Sequence, residues 1–164
     1  MAIGAVEALW YLPFVLPICL YVAFTDLRDM KITNQAVIVL GALFLILGLI
    51  TLPLPEYGLR LVQMVAVLVI GIVLNAAGGV GAGDAKFAAA AAPYIAPGDL
   101  SMVIVIFSAT LLAAFATHRL AKHTPLRRIA PDWQSWGRGW DFPMGLALGP
   151  ALGIYLILGA FLGN

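Results

Sequence analysis

The sequence predicts an all-α polytopic membrane protein of about six transmembrane helices, and three observations carry that prediction. Apolar residues make up 63% of the 164 residues and charged residues only 10%, where a soluble domain is nearer half and a quarter. Mean hydropathy is +1.02. The apolar residues also fall in long unbroken runs, several close to the roughly 20 residues that a spanning helix needs. A soluble fold of this length would leave much of that surface in water. Continuous runs exclude a barrel, whose strands alternate apolar and polar residues, and lone strands would leave backbone groups unpaired in lipid. The length fits a single domain, residues 1–164.

Six segments qualify in order: 8–25, 35–54, 61–77, 85–97, 100–117 and 142–162. The first opens with Glu7 and no Lys or Arg, so it reads as a span rather than a signal peptide, which needs a basic start. Pro13 and Pro17 are expected to kink it by removing backbone hydrogen bonds. The fourth segment is short and alanine-rich, and is expected to be tilted or to start inside the membrane from a buried loop. Gly145, Gly149 and Gly153 recur every four residues on the sixth, a spacing that lets helices approach closely. Ala88 to Ala92 offer a matching smooth surface. Cys19 is the only cysteine. It can form neither an internal disulfide nor a CxxC zinc site, and it reads as a small buried apolar side chain.

Charge placement gives an orientation. Arg28, Lys31, Lys86, Arg119, Lys122, Arg127, Arg128 and Arg138 fall in alternate connections, near 26–34, 78–84 and 118–141, leaving only Arg60 between the second and third spans. The positive-inside rule puts the eight on the cytoplasmic side and both termini outside. Loop basicity thus has a topological cause, and nucleic-acid binding is not expected. Trp133, Trp136 and Trp140 lie among these basic residues, where they read as interfacial anchors or as a segment that docks substrate at the membrane surface.

The acidic residues are Glu7, Asp26, Asp29, Glu56, Asp84, Asp99, Asp132 and Asp141. Asp26 closes the first span and Asp84 opens the fourth, so both map to the cytoplasmic face. Ionisable groups at such depths are costly and are functional candidates. Asp84 ends "GGVGAGD", in which four glycines precede the carboxylate. Such a loop permits positive φ and close approach of a substrate backbone, but lacks the GK[ST] ending of a phosphate-binding loop. The plainer reading makes Asp84 the N-cap of the fourth helix, and Asn34 the N-cap of the second.

Taken together, the two segments resemble the type IV prepilin peptidases, a group of GxGD membrane aspartyl proteases. Asp26 is followed six residues later by Ile32, Thr33 and Asn34, where the family has Ile-Pro-Asn. Gly81, Ala82, Gly83, Asp84, Ala85 and Lys86 match its GxGDxK motif in full, and "FPMGLALGPAL" at 142–152 is similar to a late family segment. The resemblance implies that Asp26 and Asp84 are a catalytic pair, with Gly81, Gly83, Lys86 and Asn34 in supporting, substrate-proximal positions. It implies no cofactor and no metal. The implied partners are a prepilin or pseudopilin precursor, the lipid bilayer and pilus assembly machinery. The longer members carry paired CxxC motifs and methylate the new N-terminus. The single cysteine here is similar to the short forms of Flp or tight-adherence pili, which implies peptidase activity without methyltransferase activity. A small ion-coupled transporter binding a cation between the two Asp residues, and a non-enzymatic assembly factor, are the alternatives. A metal at the pair has no histidine support, since His118 and His123 lie in another loop.

Overall fold

In the computed structural model, which describes residues 1–139 and 141–164, six α-helices follow one another. They are α1 (Ala5–Asp29), α2 (Asn34–Thr51), α3 (Leu54–Ala76), α4 (Ala82–Ala91), α5 (Leu100–Lys122) and α6 (Gly145–Leu162), with two short 3₁₀ segments between α4 and α5 and two between α5 and α6 among the described residues. No strand occurs among the described residues. Five helices, all but α4, are long and apolar enough to cross a membrane. Their outer faces are apolar, as lipid requires: Val6, Leu20, Ile38, Val62, Val105 and Leu112 are among the large side chains left exposed. The chain is a multi-pass membrane protein, with five such helices among the described residues.

The fourth segment, expected to be tilted or to start inside the membrane, narrows the expectation of about six transmembrane helices. α4 has 10 residues, about 15 Å at the helical rise, half of a ~30 Å hydrocarbon core. It stops where Pro93 enters a 3₁₀ turn, Ala92–Tyr94. Two side chains catch the backbone released there. Gln63 Nε2 donates to the carbonyls of Ala92 and Ile95, at 2.8 and 3.2 Å. Arg60 donates to Pro93 O at 3.1 Å. The Tyr94 hydroxyl donates to Leu40 O of α2 at 2.8 Å and ties the turn to that helix. Irregular backbone at membrane depth survives only when protein satisfies it in this way.

Arg60 is a correction of the sequence expectation. It lies inside α3, not in a connection, because Pro53 and Pro55 set the helix start earlier. Its side chain is 0% exposed; it pairs with Glu56 at 2.9 Å and lies 3.6 Å from Glu7. A second concerns the small-residue surfaces. The glycines of α6 face α1, not the alanines of α4: a Cβ on Gly149 would strike the Cys19 carbonyl, and one on Gly153 would meet Leu16 at 3.2 Å. The α4 alanines instead meet α3, where a Cβ on Gly71 would lie 2.9 Å from that of Ala85. α1 runs unbroken through Pro13 and Pro17, with Cys19 buried on the α6 side.

The bundle has two distinct ends. At one, the chain termini meet: Ala5 donates to Asn164 O at 3.1 Å, and Ala2 and Ile3 donate to the Asp99 carboxylate. At the other end lie the α1–α2 turn, the start of α4 and the loop before α6.

Candidate active site

The second end contains a cavity of about 590 Å³ built from four separate stretches of chain. Asp26 reaches it from the last turn of α1, and Asp84 from the first turn of α4. Ile32 and Asn34 line it from the α1–α2 connection, and Arg138, Asp141, Phe142 and Met144 from the segment before α6. Thus the two aspartates singled out from the sequence, 58 positions apart in the chain, share one space. Gly81, Gly83, Lys86 and Asn34 line the same space.

Each carboxylate is held by a backbone amide beside a glycine. Gly145 N donates to Asp26 Oδ2 at 2.6 Å. A Cβ on Gly145 would stand 2.8 Å from Asp26 Cβ, so only glycine permits that approach. Asp26 itself is 6% exposed. Asp84 is the third helical residue of α4 and turns back to the Gly81 amide, the N-cap. A Cβ on Gly81 would stand 2.6 Å from Asp84 Oδ2. Asp84 is therefore not the N-cap. Nor does its glycine loop depend on positive φ throughout, since among the glycines before Asp84 only Gly78 has φ in that region, at 76°. Gly83 serves by close approach, its missing side chain leaving room for Ile32.

The N-cap of α2 is Thr33, whose hydroxyl accepts from Ala36 N at 3.3 Å. Threonine is a good cap, so the residue standing in place of the family's proline has a local role of its own. Asn34 is freed from capping and accepts from Lys86 Nζ at 3.1 Å. That bond ties the α2 start to α4 across the mouth of the cavity. Asp29 takes no part: it pairs with Arg28 at 2.7 Å on the exposed surface and does not line the cavity.

Burial, and then the charge of Asp26 nearby, push the Asp84 carboxyl up to about 6, against a smaller lowering by the Gly81 amide. A carboxyl poised near neutrality beside a second carboxylate is suited to exchanging protons with a reacting group. No group of three or more His, Cys, Asp or Glu side chains is gathered to hold a metal among the described residues.

Sequence reasoning missed Arg138, Asp141 and the amide of Gly145 as parts of this site. Gly145 stood in the late segment quoted for its similarity, but its spacing pointed only to helix packing. The 118–141 loop gave no register from which to place Arg138 or Asp141. Trp133 and Trp136 are described and stack on each other with centroids 5.7 Å apart; Trp140, grouped with them above, lies outside the described residues.

A bundle of apolar helices with a polar cavity at one end belongs to the integral-membrane proteins. Within them, this chain belongs to the type IV leader peptidase family, whose sequence profile matches residues 13–117, including both Asp26 and Asp84. It is a membrane peptidase with prepilin-like substrates implied. No curated protein and no solved structure matches the chain.

Proposed function

We propose that this protein is an aspartyl endopeptidase that removes the basic leader from prepilin-type precursors, with Asp26 and Asp84 as its catalytic pair. The single observation that carries the reading is the convergence of these two carboxylates from different helices on one cavity, with no cation bonded to either.

Two close carboxylates do not ionise together readily, so the pair holds one shared proton. The ionised member takes a proton from water as the water attacks the scissile carbonyl carbon. The protonated member donates to the carbonyl oxygen. Collapse of the tetrahedral intermediate returns a proton to the leaving amine, and the pair regains its single-proton state. The titration belongs to the pair rather than to either member. Gly81 and Gly83 let the substrate backbone pass close to Asp84. Lys86 and Asn34 together hold α4 against α2.

The whole chain, 1–164, acts in this reading as one peptidase unit in the cell inner membrane. The basic residues at the cavity end face the cytoplasm by the positive-inside rule, and both termini face outward. Cleavage then occurs at the cytoplasmic face, where water reaches the pair. The precursor's hydrophobic helix enters laterally from lipid. With one cysteine and so no CxxC pair in residues 1–164, the activity proposed is hydrolysis alone, as in the short peptidases of Flp-type pili.

Co-expression with prepilin precursors tests this reading by precursor size. Asp26→Asn and Asp84→Asn are expected to abolish conversion to the mature form, and Asp29→Asn to leave it intact. Conversion by all three variants would return the protein to the carrier or assembly-factor alternatives.

A further inference from the structure

Behind the site lies a second cavity, of about 330 Å³, that the proposed peptide hydrolysis does not use. Leu27 of α1, His118 and Ala121 of α5, Leu146 of α6, and Trp133 and Trp136 of the long loop wall it. Its size falls in the ordinary range of ligand pockets, and its lining is apolar apart from Thr117 and one imidazole. That imidazole is anomalous. His118 is 3% exposed, and neither ring nitrogen has a hydrogen-bond partner among the described residues. Its faces are occupied by aromatic rings: Trp136 stacks on it with centroids 5.2 Å apart, and Phe142 meets it edge-on at 5.9 Å. A buried polar group left unpaired is costly, but both nitrogens are sealed from the cavity, so the space itself offers an occupant an almost wholly apolar lining.

The rim supplies the charge. The 3₁₀ turn Pro125–Ile129 exposes Leu126 and Ile129, 56% and 81% accessible, on either side of Arg127 and Arg128. Arg119 and Lys122 stand in the last turn of α5 just before it. Across 118–138 five cations meet a single anion, Asp132. Exposed apolar side chains alternating with arginines suit the boundary between headgroups and acyl chains.

We propose that this pocket is a binding site for one anionic glycerophospholipid, its acyl chain in the apolar cavity and its phosphate at Arg127 and Arg128. The placement has a consequence for the site in front of it. Leu27 follows Asp26 and Leu146 follows Gly145, so the lipid fills the space directly behind the Asp26–Gly145 hydrogen bond. Phe142 belongs to both compartments, touching His118 on one side and lining the active-site cavity on the other. The bound lipid braces that shared wall.

Lipid binding does not depend on the peptidase reading, so its test reads binding directly. Native mass spectrometry of the purified protein, exchanged into mixed micelles of phosphatidylglycerol and phosphatidylcholine, counts retained lipids of each kind. One retained phosphatidylglycerol is expected, preferred about tenfold over phosphatidylcholine. Ala121→Phe, which fills the cavity, is expected to lose it. The surface variant Arg127→Gln/Arg128→Gln is expected to keep one lipid and lose most of the preference. Equal retention of the two lipids by the unmodified protein overturns the proposal. So does a preference that survives the double arginine variant, or retention undiminished by Ala121→Phe.

Discussion

The two ends of this bundle treat buried acids in opposite ways. At the end where the termini meet, Asp99 accepts from the amides of Ala2 and Ile3 at 2.7 and 2.9 Å and from Tyr155 at 2.9 Å. Beside it, Glu7 and Glu56 flank a fully buried Arg60. At the other end, Asp26 has one backbone amide and Asp84 another, and the nearby Lys86 donates to Asn34 instead of to either carboxylate. The first arrangement offsets desolvation with partners and fastens the broken backbone after α4. The second leaves two acids facing each other across a cavity with their protonation unsettled. Asp99, with three hydrogen-bond donors, holds the chain termini together, while the sparsely partnered pair at the cavity is suited to exchanging protons.

Three changes sharpen that contrast. The largest effect is expected from Arg60→Met. Removing the cation leaves Glu7 buried with no compensating charge, a loss of about 3–5 kcal/mol for a buried pair. Thermal unfolding in detergent should show it as a strongly lowered midpoint, and adding Glu7→Gln and Glu56→Gln should recover a large part. An unchanged midpoint for Arg60→Met would mean the terminal end is not held by this network.

The next effect has the opposite sign. Asp84 is raised in the folded protein above its ordinary carboxylate value, so the fold favours its protonated form. That preference contributes fully at low pH, and is lost as pH rises through about 6. Asp84→Asn removes the strained charge. It should therefore stabilise the protein by up to about 2 kcal/mol at pH 8 and by much less at pH 4.5. Stabilisation that is equal at both pH values would remove the electrostatic explanation.

The smallest of the three is Gly145→Ala. The added methyl displaces Asp26 by a few tenths of an ångström and weakens the amide bond that orients it. Loss of about tenfold in cleavage rate is expected, since small misplacements of reacting groups cost that much or more. The fold should survive with little change in unfolding midpoint. A normal rate would show that the α6 amide does not orient the carboxylate.

Much of this contrast was legible in the sequence, for reasons that differ by residue. Long apolar runs fixed five spans, because lipid permits no other backbone solution. Asp26 and Asp84 were legible because each stands at a span end within a patterned motif. The α2–α3 turn was misplaced because Arg60 interrupts an apolar run, although its spacing from Glu56 is the i,i+4 interval of a helical ion pair. α4 resisted a firm length because alanine-rich sequence carries little face preference, and its end is marked by Gln63 and Arg60, which bond the carbonyls beyond it. Gly145 was read as a packing residue. Its bond to Asp26 joins positions 119 apart, and no local pattern encodes such a partner.

The central claim is that the poorly partnered pair, Asp26 with Asp84, performs leader cleavage through one shared proton. Its most direct test is the initial rate of cleavage of a leader–helix peptide by the purified protein in liposomes, measured from pH 5 to pH 8. The rate should fall as pH rises through about 6, where the Asp84 carboxyl loses its proton, and Asp84→Asn should be inactive throughout. A rate independent of pH across that range, or cleavage by Asp84→Asn, would contradict it.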